Sequence, residues 1–437
     1  MKKKVYIETY GCQMNVADSE VIATILNDNE YEIIQDINQA DIIFVNTCAV
    51  REHAEQRVFS RLDYFNTFKK KRKDIKIGIL GCMAERLKKS ILEQKPFVDI
   101  VAGPDSYRNL PEMIETTESG QKTVNVLLSK EETYNDILPT RYNSNGLSAF
   151  VSIMRGCDNM CSFCIVPFTR GRERSRSVES IMQEIEDIIN DGYKEITLIG
   201  QNVDKYNYKD VNFAKLLAMV ADVAKKLRIR FATSYPQHFT EEVMRVMASK
   251  SNVCHYIHLP VQSGSNNMLK AMKRGYTAEW YLDKINMIRS YVPDAAISTD
   301  IITGFCGETE EDHAATLNLM EQVKYDYAYM FKYSERPGTY AAKYLKDDVP
   351  EEIKLRRLNE IIDLQRSLSE ESNKKDVGKT FKVMVEGVSK KSKEELFGRN
   401  SQNKVIVFPT KSNIKKGDII RVEVTSYTSA TLRGKAI

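Results

Sequence analysis

The chain has 437 residues, of which 42% are apolar and 28% charged, and its formal net charge is +4 at pH 7. This length exceeds what one hydrophobic core usually supports, so we expect two or three domains. No stretch approaches the roughly 18 consecutive apolar residues of a membrane span, and the apolar run after the opening lysines stops at Glu8, too early for a signal peptide. We therefore expect a cytoplasmic protein whose eight cysteines are reduced and available for metal binding or catalysis.

Residues 1–105 alternate between strand-like and helix-like stretches, which predicts a parallel α/β domain, and we place the end of this domain at residue 125. The candidate strands are Val5–Thr9, Asp41–Asn46, Lys76–Leu80 and Val98–Val101. The rhythm is lost in residues 106–147, which look irregular. We place the interdomain linker at residues 126–146.

The alternation resumes in the second predicted domain, residues 147–372. Its candidate strands are Ala149–Met154, Glu195–Ile199, Ile229–Ala232, Tyr256–Leu259, Ile297–Ile302 and Tyr327–Tyr333. Six consecutive βα units with right-handed crossovers predict an open or partial barrel, with ligands at the carboxyl ends of the strands.

Residues 373–437 change character after a polar helix near residues 350–372. Short strands at Phe381–Val385, Val405–Phe408 and Ile419–Val424, joined by Lys, Gly and Asn turns, predict a small β-barrel or sandwich. This segment holds 15 Lys and Arg against 6 Asp and Glu, so it carries +9 while the rest of the chain carries about −5. A domain that concentrates basic charge favours a polyanionic partner, and nucleic acid is the first candidate.

Three cysteines that we term the loop triad, Cys157, Cys161 and Cys164, follow the first strand of the central domain in the spacing C-x3-C-x2-C. Three thiolates this close in sequence can surround one iron-sulfur cluster and leave one iron open for a small molecule. Zinc and plain structural cysteines are the alternatives. Zinc sites favour pairs that supply four ligands, and no fourth Cys or His lies nearby in sequence.

Three further cysteines that we term the edge triad, Cys12, Cys48 and Cys82, each follow a predicted parallel strand of the N-terminal domain. The carboxyl ends of such strands share one edge of the sheet, so these three thiols should converge. A single free cysteine at such a place is often a core residue. Three in matching places predict a second cluster with an accessible iron, whereas Cys254 and Cys306 lack such companions and are interpreted as buried thiols.

The loop triad, in the segment MRGCDNMCSFCIVPFTRGRERSR, resembles the cluster motif of the radical S-adenosylmethionine superfamily. The whole chain resembles the methylthiotransferase family, and this one segment most resembles the bacterial MiaB subgroup of that family. The further matching segments are YGCQMN at 10–15, NTCAVRE at 46–52, LIGQNV at 198–203, LPVQSGSNNMLKAMKRGYT at 259–277 and ITGFCGETEED at 302–312. Two positions depart from the family pattern: Cys306 stands where Pro is usual, and Tyr235 where His is common.

The resemblance implies two 4Fe-4S clusters, S-adenosylmethionine, a partial radical barrel and a C-terminal RNA-binding TRAM domain. Enzymes of this subgroup methylthiolate C2 of N6-isopentenyladenosine beside the tRNA anticodon, using one S-adenosylmethionine as methyl donor and a second as radical source. Because the C2 hydrogen is not acidic, acid-base catalysis is poorly suited to removing it, which explains the need for a radical. Both clusters must then face one cavity. A reductant such as flavodoxin or ferredoxin is implied, no sulfur donor is assigned, and a monomer is expected.

The pocket for S-adenosylmethionine is predicted at residues that follow the barrel strands or the cluster loop. Phe163 occupies the place where the superfamily has a hydrophobic residue against the adenine, although simple loop packing is the alternative. The other candidates are Gln201, Asn202, Ser234, Gln262, Ser263 and Gly304. Such residues also form turns and helix caps everywhere, which is their alternative interpretation.

Two surfaces are predicted to contact RNA. Arg170, Arg172, Arg174 and Arg176 alternate just beyond the loop triad, where they are expected to bind phosphates; the alternative is a solvated face or ion pairs with acids. The C-terminal domain carries Phe397, Phe408 and Tyr427 among its basic residues, as in an oligonucleotide-binding barrel, unless these aromatics form its core.

Two rival functions remain open at this point. One is a non-enzymatic iron-sulfur protein that binds RNA or carries electrons, and a carrier would be expected to close its clusters with a fourth thiolate. A sister methylthiotransferase would act on threonylcarbamoyladenosine in tRNA or on a ribosomal protein, and only the sequence around Cys157 favours the isopentenyladenosine enzymes.

Overall fold

The computed structural model describes residues 2–49, 52–142 and 144–437. Within these ranges three bodies follow one another along the chain, which we term the N-terminal domain, the central barrel and the C-terminal barrel. In the same ranges no helix has both the length and the apolar character needed to cross a membrane.

The N-terminal domain is a six-stranded parallel sheet with helices on both faces. Its elements are β1 (Lys4–Thr9), α1 (Gln13–Asp28), β2 (Glu32–Ile34), β3 (Ile42–Thr47), α2 (Glu52–Lys71), β4 (Lys76–Gly81), α3 (Cys82–Leu87), α4 (Ser90–Gln94), β5 (Ile100–Ala102), α5 (Leu110–Glu118) and β6 (Thr123–Asn125). The strands lie in the order β2-β1-β3-β4-β5-β6, and every pair is parallel. Strand β3 is buried along its whole length, which explains its nearly continuous apolar sequence.

Two apolar cores cover the two faces of this sheet. On one face Leu26 of α1 packs with Phe44, and on the other Leu62 and Phe65 of α2 pack with Ile43. Ile43 and Phe44 are successive residues of β3, so their side chains leave the strand on opposite faces. This arrangement confirms the predicted parallel α/β domain.

The structure differs from the sequence-based prediction over residues 106–125, which are not irregular but form α5 and the edge strand β6. Helix α5 carries Pro111 in its first turn, where a helix tolerates proline because the missing N–H has no intrahelical partner. Strands β2 and β6 have three residues each and lie at the two edges of the sheet. Three residues are too few to show a strand periodicity, so both were missed.

The central barrel follows. Its elements are β7 (Ser148–Ser152), β8 (Met154–Arg155), α6 (Val166–Arg170), β9 (Arg174–Ser175), α7 (Val178–Asn190), β10 (Glu195–Ile199), β11 (Asn207–Tyr208), β12 (Val211–Asn212), α8 (Phe213–Val223), β13 (Arg228–Phe231), α9 (Glu241–Ser249), β14 (Tyr256–His258), α10 (Asn266–Ala271), α11 (Ala278–Tyr291), β15 (Ala296–Thr303), α12 (Glu310–Val323), β16 (Tyr327–Lys332), α13 (Tyr340–Tyr344) and α14 (Glu351–Lys374). Its strands form two parallel sheets, β13-β10-β7 and β14-β15-β16. A parallel bridge between Ile229 and Val253 joins the two sheets. The six strands confirm the predicted partial barrel.

The two faces of the barrel strands carry different side chains. Ile196, Ile257 and Ile297 point outward into the apolar core that the surrounding helices share. Their strand neighbours, such as Glu195 and Ser298, point to the other face, since side chains alternate along a strand. The interior face therefore carries polar side chains beside apolar ones such as Ile199, which packs against the N-terminal domain. On another side the interior faces the C-terminal barrel.

The C-terminal barrel is closed and antiparallel apart from one parallel pair. Its strands are β17 (Thr380–Val388), β18 (Glu395–Arg399), β19 (Val405–Pro409), β20 (Ile419–Tyr427) and β21 (Leu432–Ala436), in the order β17-β18-β19-β21-β20. Val383, Phe408 and Leu432 lie in its core. This confirms the small β-barrel, and it places Phe408 inside rather than on a surface that RNA can reach.

Candidate active site

The loop triad lies between β8 and α6, in a loop that the backbone folds tightly. The Cys157 N–H donates to the Gly171 carbonyl at 3.1 Å, and the Cys164 N–H donates to the Cys161 carbonyl at 3.0 Å. Gly156 has a positive φ of 81°, and a Cβ there would collide with the Arg172 carbonyl, so only glycine fits. The loop therefore closes on itself and turns its cysteines toward one another.

The thiols of the loop triad influence one another through space. Burial, with a smaller contribution from the neighbouring Cys161, raises the pKa of Cys157 to about 11 and that of Cys164 to about 12. Arg274 donates from Nη1 to the Cys161 sulfur at 3.3 Å. The Arg274 guanidinium is buried and thus holds one sulfur of the loop triad in position through this hydrogen bond.

The edge triad converges as the sheet predicts. Cys12 follows β1 and caps α1, Cys48 follows β3, and Cys82 begins α3 directly after β4. These three strands are neighbours in the sheet. A hydrogen bond from Cys48 is the largest of the effects that lower the pKa of Cys12 to about 6. Cys12 is exposed, whereas Cys48 and Cys82 are buried. Val50 and Arg51 of the neighbouring NTCAVRE motif lie outside the described residues.

The structure brings the two triads to one place. Helices α3 and α6 pack against each other, and Cys82 shares a small apolar cluster with Ile165, the residue after Cys164. Arg170, at the end of α6, donates from Nε to the Cys82 sulfur at 3.2 Å. The loop of the central barrel therefore lies against the sheet edge of the N-terminal domain.

The residues present fit iron-sulfur clusters. Each triad offers three thiolate ligands, which is the soft donor set that such clusters take. Each also has an arginine that donates to a cysteine sulfur, as in the outer shells that orient metal ligands. Among the described residues, no three His, Cys, Asp or Glu side chains form a cage for a single metal ion.

Three of the four arginines predicted to bind RNA phosphates do not reach the surface. Arg170, Arg174 and Arg176 are buried, and each pairs with a buried acid. Their partners are Asp18, Asp105 and Glu184 respectively. Buried charges require such partners because desolvation is costly, so the ion-pair alternative is correct for these three. Arg172 is different, because its side chain is 74% exposed. Its Nη1 lies 3.3 Å from Oδ1 of Asp158, which is also exposed.

Two of the predicted cofactor residues, Gln201 and Asn202, lie beside the cluster loop, whereas Ser234 contacts Asp204. Gln201 accepts from the Gly156 N–H, and Asn202 donates to Glu173 at 3.3 Å. The Ser234 hydroxyl donates to Asp204 at 3.2 Å. The Oδ1 atom of Asn202 is buried and has no hydrogen-bond partner among the described residues. Gln201 and Asn202 therefore lie where a small polar ligand beside the loop would contact them.

The other predicted cofactor residues have structural partners. The Ser263 hydroxyl shares a hydrogen bond with Thr316, and the backbone of Gln262 pairs with Ile301. At Gly304 a Cβ would collide with Lys354 of α14, so this glycine permits the helix to pack. Phe163 packs edge-on against Phe305, with ring centroids 6.4 Å apart. The packing and turn interpretations account for the observed contacts of these four residues.

The two positions that depart from the family pattern are both accommodated. The Tyr235 hydroxyl donates to the Arg274 carbonyl at 2.5 Å, and the Arg274 guanidinium lies 4.3 Å from the Tyr235 ring centroid. Tyr235 thus supports the arginine that contacts Cys161. Cys306 is buried among Phe305, Met272 and other apolar residues, and Cys254 is buried as well.

The interior of the central barrel is covered on one half only. Over β7 and β10, Met14 and Ala17 of α1 pack against Ile199. Over β16, by contrast, Tyr327 is 52% exposed and Tyr329 is 42% exposed. The rings of these two tyrosines meet edge-on at 5.0 Å. The open half was missed from the sequence, because the alternation in β16 predicts a strand without showing which face lacks a partner.

A buried ion network fixes the C-terminal barrel to the central barrel. Glu195 accepts from Arg230 at 2.7 Å and from Arg399 at 3.2 Å. Arg230 also donates to the carbonyl oxygens of Asn400 at 2.7 Å and Ser401 at 3.1 Å. The turn after β18 is therefore bound to the interior face of β10 and β13.

We expect this contact between the barrels to weaken in acid. Burial opposes ionisation of Glu195, but Arg230, Arg399 and Arg228 outweigh burial and hold its pKa below the ordinary value. A lowered pKa stabilises the fold above the unfolded-state value of about 4.3 and loses that stabilisation as pH falls through the folded-state value. The protection factors of the amides in residues 399–401, which are corrected for the intrinsic pH dependence of exchange, should therefore fall between neutral pH and about pH 3. In Glu195→Gln the acid-dependent part should be absent, while the exposed control Glu241→Gln should behave as wild type.

Comparison with known proteins identifies the segments one by one. The model of uncharacterized protein family UPF0004 matches residues 4–103, that of the radical SAM superfamily residues 151–320, and that of the TRAM domain residues 374–437. These three segments correspond to the three bodies of the fold.

Curated relatives match over the full length. The tRNA-2-methylthio-N(6)-dimethylallyladenosine synthase of Phocaeicola vulgatus is 54% identical, covering 100% of this chain and 96% of the relative. The enzyme of the same name from Amoebophilus asiaticus is 55% identical, covering 99% of this chain and 92% of the relative.

Solved structures share the fold at low identity. The radical S-adenosylmethionine methyltransferase TsrM from Kitasatospora setae has a TM-score of 0.60 and 14% identity, over 78% of this chain and 77% of that one. The cobalamin-dependent radical enzyme OxsB has a TM-score of 0.56 and 17% identity, over 81% of this chain and 56% of that one. At such identities the likeness shows the fold alone.

Proposed function

The chain belongs to the tRNA-2-methylthio-N(6)-dimethylallyladenosine synthase family of radical S-adenosylmethionine enzymes, and from this we propose its activity. It converts N6-isopentenyladenosine beside the tRNA anticodon to the 2-methylthio derivative. The observation that carries the proposal is the meeting of two three-cysteine sites between the N-terminal domain and the central barrel.

The two triads would have different chemical roles. The loop triad would hold a 4Fe-4S cluster that binds and reduces S-adenosylmethionine, and the edge triad would hold a second that carries the sulfur. The protein itself supplies position and shielding rather than proton transfer, because the C2 hydrogen of the base is not acidic. Arg274 and Arg170 donate to the sulfurs of Cys161 and Cys82, and both guanidinium groups are buried.

Polar residues around the loop triad would orient S-adenosylmethionine. Gln201 and Asn202 lie beside the loop, and the Oδ1 of Asn202, which has no hydrogen-bond partner in the described part of the chain, is an acceptor suited to an amino or hydroxyl group. Phe163 offers an aromatic edge for the adenine. A one-electron reductant, such as flavodoxin or ferredoxin, would supply the electron, and we expect the enzyme to act as a monomer.

The tRNA would bind across the C-terminal barrel and reach the triads through the open half of the central barrel. The C-terminal segment carries a net charge of +9, which suits a phosphate backbone. Unpaired bases of an RNA loop stack on exposed aromatic rings, and Tyr327 and Tyr329 are two such rings on the open face. Arg172 remains the one member of its arginine run that is exposed enough to contact a phosphate.

We expect Tyr329→Ala to weaken binding of an anticodon stem-loop RNA by about tenfold, since one base stack contributes roughly 1–3 kcal/mol. Fluorescence anisotropy with the labelled stem-loop measures the dissociation constant. Tyr64→Ala is the matched control, because Tyr64 is also 42% exposed but lies on α2 of the N-terminal domain. Equal affinities for the two variants would remove Tyr329 from the RNA path.

The proposed activity is tested by mass spectrometry of tRNA nucleosides from cells that lack the gene. Loss of methylthio-isopentenyladenosine, restored by the wild-type gene, supports the proposal. Loss of methylthio-threonylcarbamoyladenosine instead would assign the sister activity. An unchanged nucleoside profile would refute a role in tRNA methylthiolation.

A further inference from the structure

The guanidinium of Arg170 joins the two halves of the site. It comes from the central barrel, at the end of α6, yet its contacts lie in the N-terminal domain. Nε donates to the Cys82 sulfur at 3.2 Å, and Nη2 donates to Asp18 at 2.7 Å. Nη1 is buried and has no hydrogen-bond partner among the described residues.

Neighbouring groups fix the direction in which Nη1 points. Asp18 is fully buried and is also bound by Arg155 at 2.8 Å, so it does not move to follow Arg170. Arg174 donates to the Arg170 carbonyl at 2.9 Å and holds the backbone. A planar guanidinium with two of its three nitrogens engaged presents the third in one direction. A buried charged donor that is left unpaired costs free energy. We therefore expect a ligand to supply a hydrogen-bond acceptor for the Nη1–H of Arg170.

The position of Nη1 restricts what that acceptor can be. The side chain of Arg170 is only 3% exposed, so a phosphate of the RNA backbone does not reach it. The thiols of Cys82 and Cys12 lie close enough to interact with the positive charge of its guanidinium. The acceptor is therefore small, anionic and located at the edge triad. Sulfur in an anionic form fits all three conditions.

We propose that Arg170 is a positioning residue whose Nη1–H donates to an anionic sulfur held at the edge triad. This inference rests on the proposed function and adds the residue that holds the sulfur to be transferred. The sulfur has two sources of the same chemistry: a sulfide of the cluster itself, or an added hydrosulfide or thiolate bound to it. No bond is made or broken by Arg170; its charge and direction hold the anion.

The test uses the full-length chain with the loop triad replaced by alanine, so that only the edge triad can carry a cluster. In this background Arg170→Gln and Arg170→Lys are compared with Arg245→Gln, which changes an exposed arginine of α9, after anaerobic reconstitution. Methanethiolate is the probe: its affinity is measured by the change in the electron paramagnetic resonance spectrum. The midpoint potential of the cluster is measured by spectroscopic titration in parallel.

We expect Arg170→Gln to bind methanethiolate at least about tenfold more weakly, because a charge-assisted hydrogen bond is lost, and to have a more negative potential. Arg170→Lys should recover part of the lost affinity and part of the shift in potential. Lysine keeps the positive charge but lacks the fixed, planar arrangement of the three guanidinium nitrogens. Arg245→Gln should match the parent protein in both measurements. A weaker affinity assigns the acceptor to added sulfur, whereas a shifted potential with unchanged affinity assigns it to cluster sulfide.

Unchanged affinity and unchanged potential in Arg170→Gln overturn the proposal. So does a Gln variant that fails to fold while Arg170→Lys folds with parental affinity and potential, because the effect would then be structural. Neither measurement uses tRNA. If wild type makes the methylthio nucleoside while Arg170→Gln keeps its cluster properties, the role of Arg170 fails and the proposed function stands.

Discussion

Replacing Cys157, Cys161 and Cys164 together by alanine should remove about half of the bound iron and sulfide, from about two four-iron clusters to one. The loop triad supplies all thiolates of its site, and no other cysteine in the described residues lies in that loop. Cleavage of S-adenosylmethionine should fall to background and the methylthio product should be absent. Anaerobic iron and sulfide analysis, with chromatography of 5′-deoxyadenosine, measures both.

The matching variant of the edge triad separates the two roles. Alanine at Cys12, Cys48 and Cys82 should also halve the iron, but it should leave cleavage of S-adenosylmethionine in place while abolishing methylthio transfer. Cys254→Ala and Cys306→Ala serve as controls, because both thiols are buried outside the triads. Iron unchanged in either triad variant, or zinc in place of iron in the wild type, would contradict the assignment.

Much of this site was predictable because its geometry follows from parallel strands. Apolar runs marked β1, β3 and β4, and adjacent parallel strands must end at one edge, so Cys12, Cys48 and Cys82 had to converge. The loop triad needed only local spacing. By contrast, β2 and β6 have three residues each and stand at sheet edges, where a short segment shows no periodicity.

The arginine run shows where sequence reasoning fails. Arg170 and Arg174 lie in a short polar segment that reads as an exposed basic surface. Their partners Asp18 and Asp105 lie 152 and 69 residues away along the chain, in another domain. These ion pairs form only when the two domains pack against each other. The sequence pattern around each arginine therefore does not show its partner. The same limit applies to Gly304, whose neighbour Lys354 belongs to a later helix.

Asp18→Ala should be the most destabilising single change at the domain interface. The carboxylate is fully buried and accepts from Arg155 at 2.8 Å, Arg170 at 2.7 Å and the Tyr107 hydroxyl at 3.4 Å. Its loss leaves two buried cations without their carboxylate, a change that costs roughly 3–5 kcal/mol. Since several bodies unfold in this chain, amide exchange of α1 and α6 is a better measurement than a single melting curve.

The matched control for Asp18→Ala is Glu241→Ala. Glu241 is exposed and pairs with Arg245, and both residues lie on α9. Exposed pairs of this kind contribute about 0.3–0.5 kcal/mol, so exchange in α1 and α6 should not change. Asp18→Asn should fall between, because the amide oxygen still accepts one hydrogen bond but carries no charge. If Asp18→Ala loses less than about 1 kcal/mol of protection in both helices, the two domains are held together elsewhere, and Arg170 would need another support to reach Cys82.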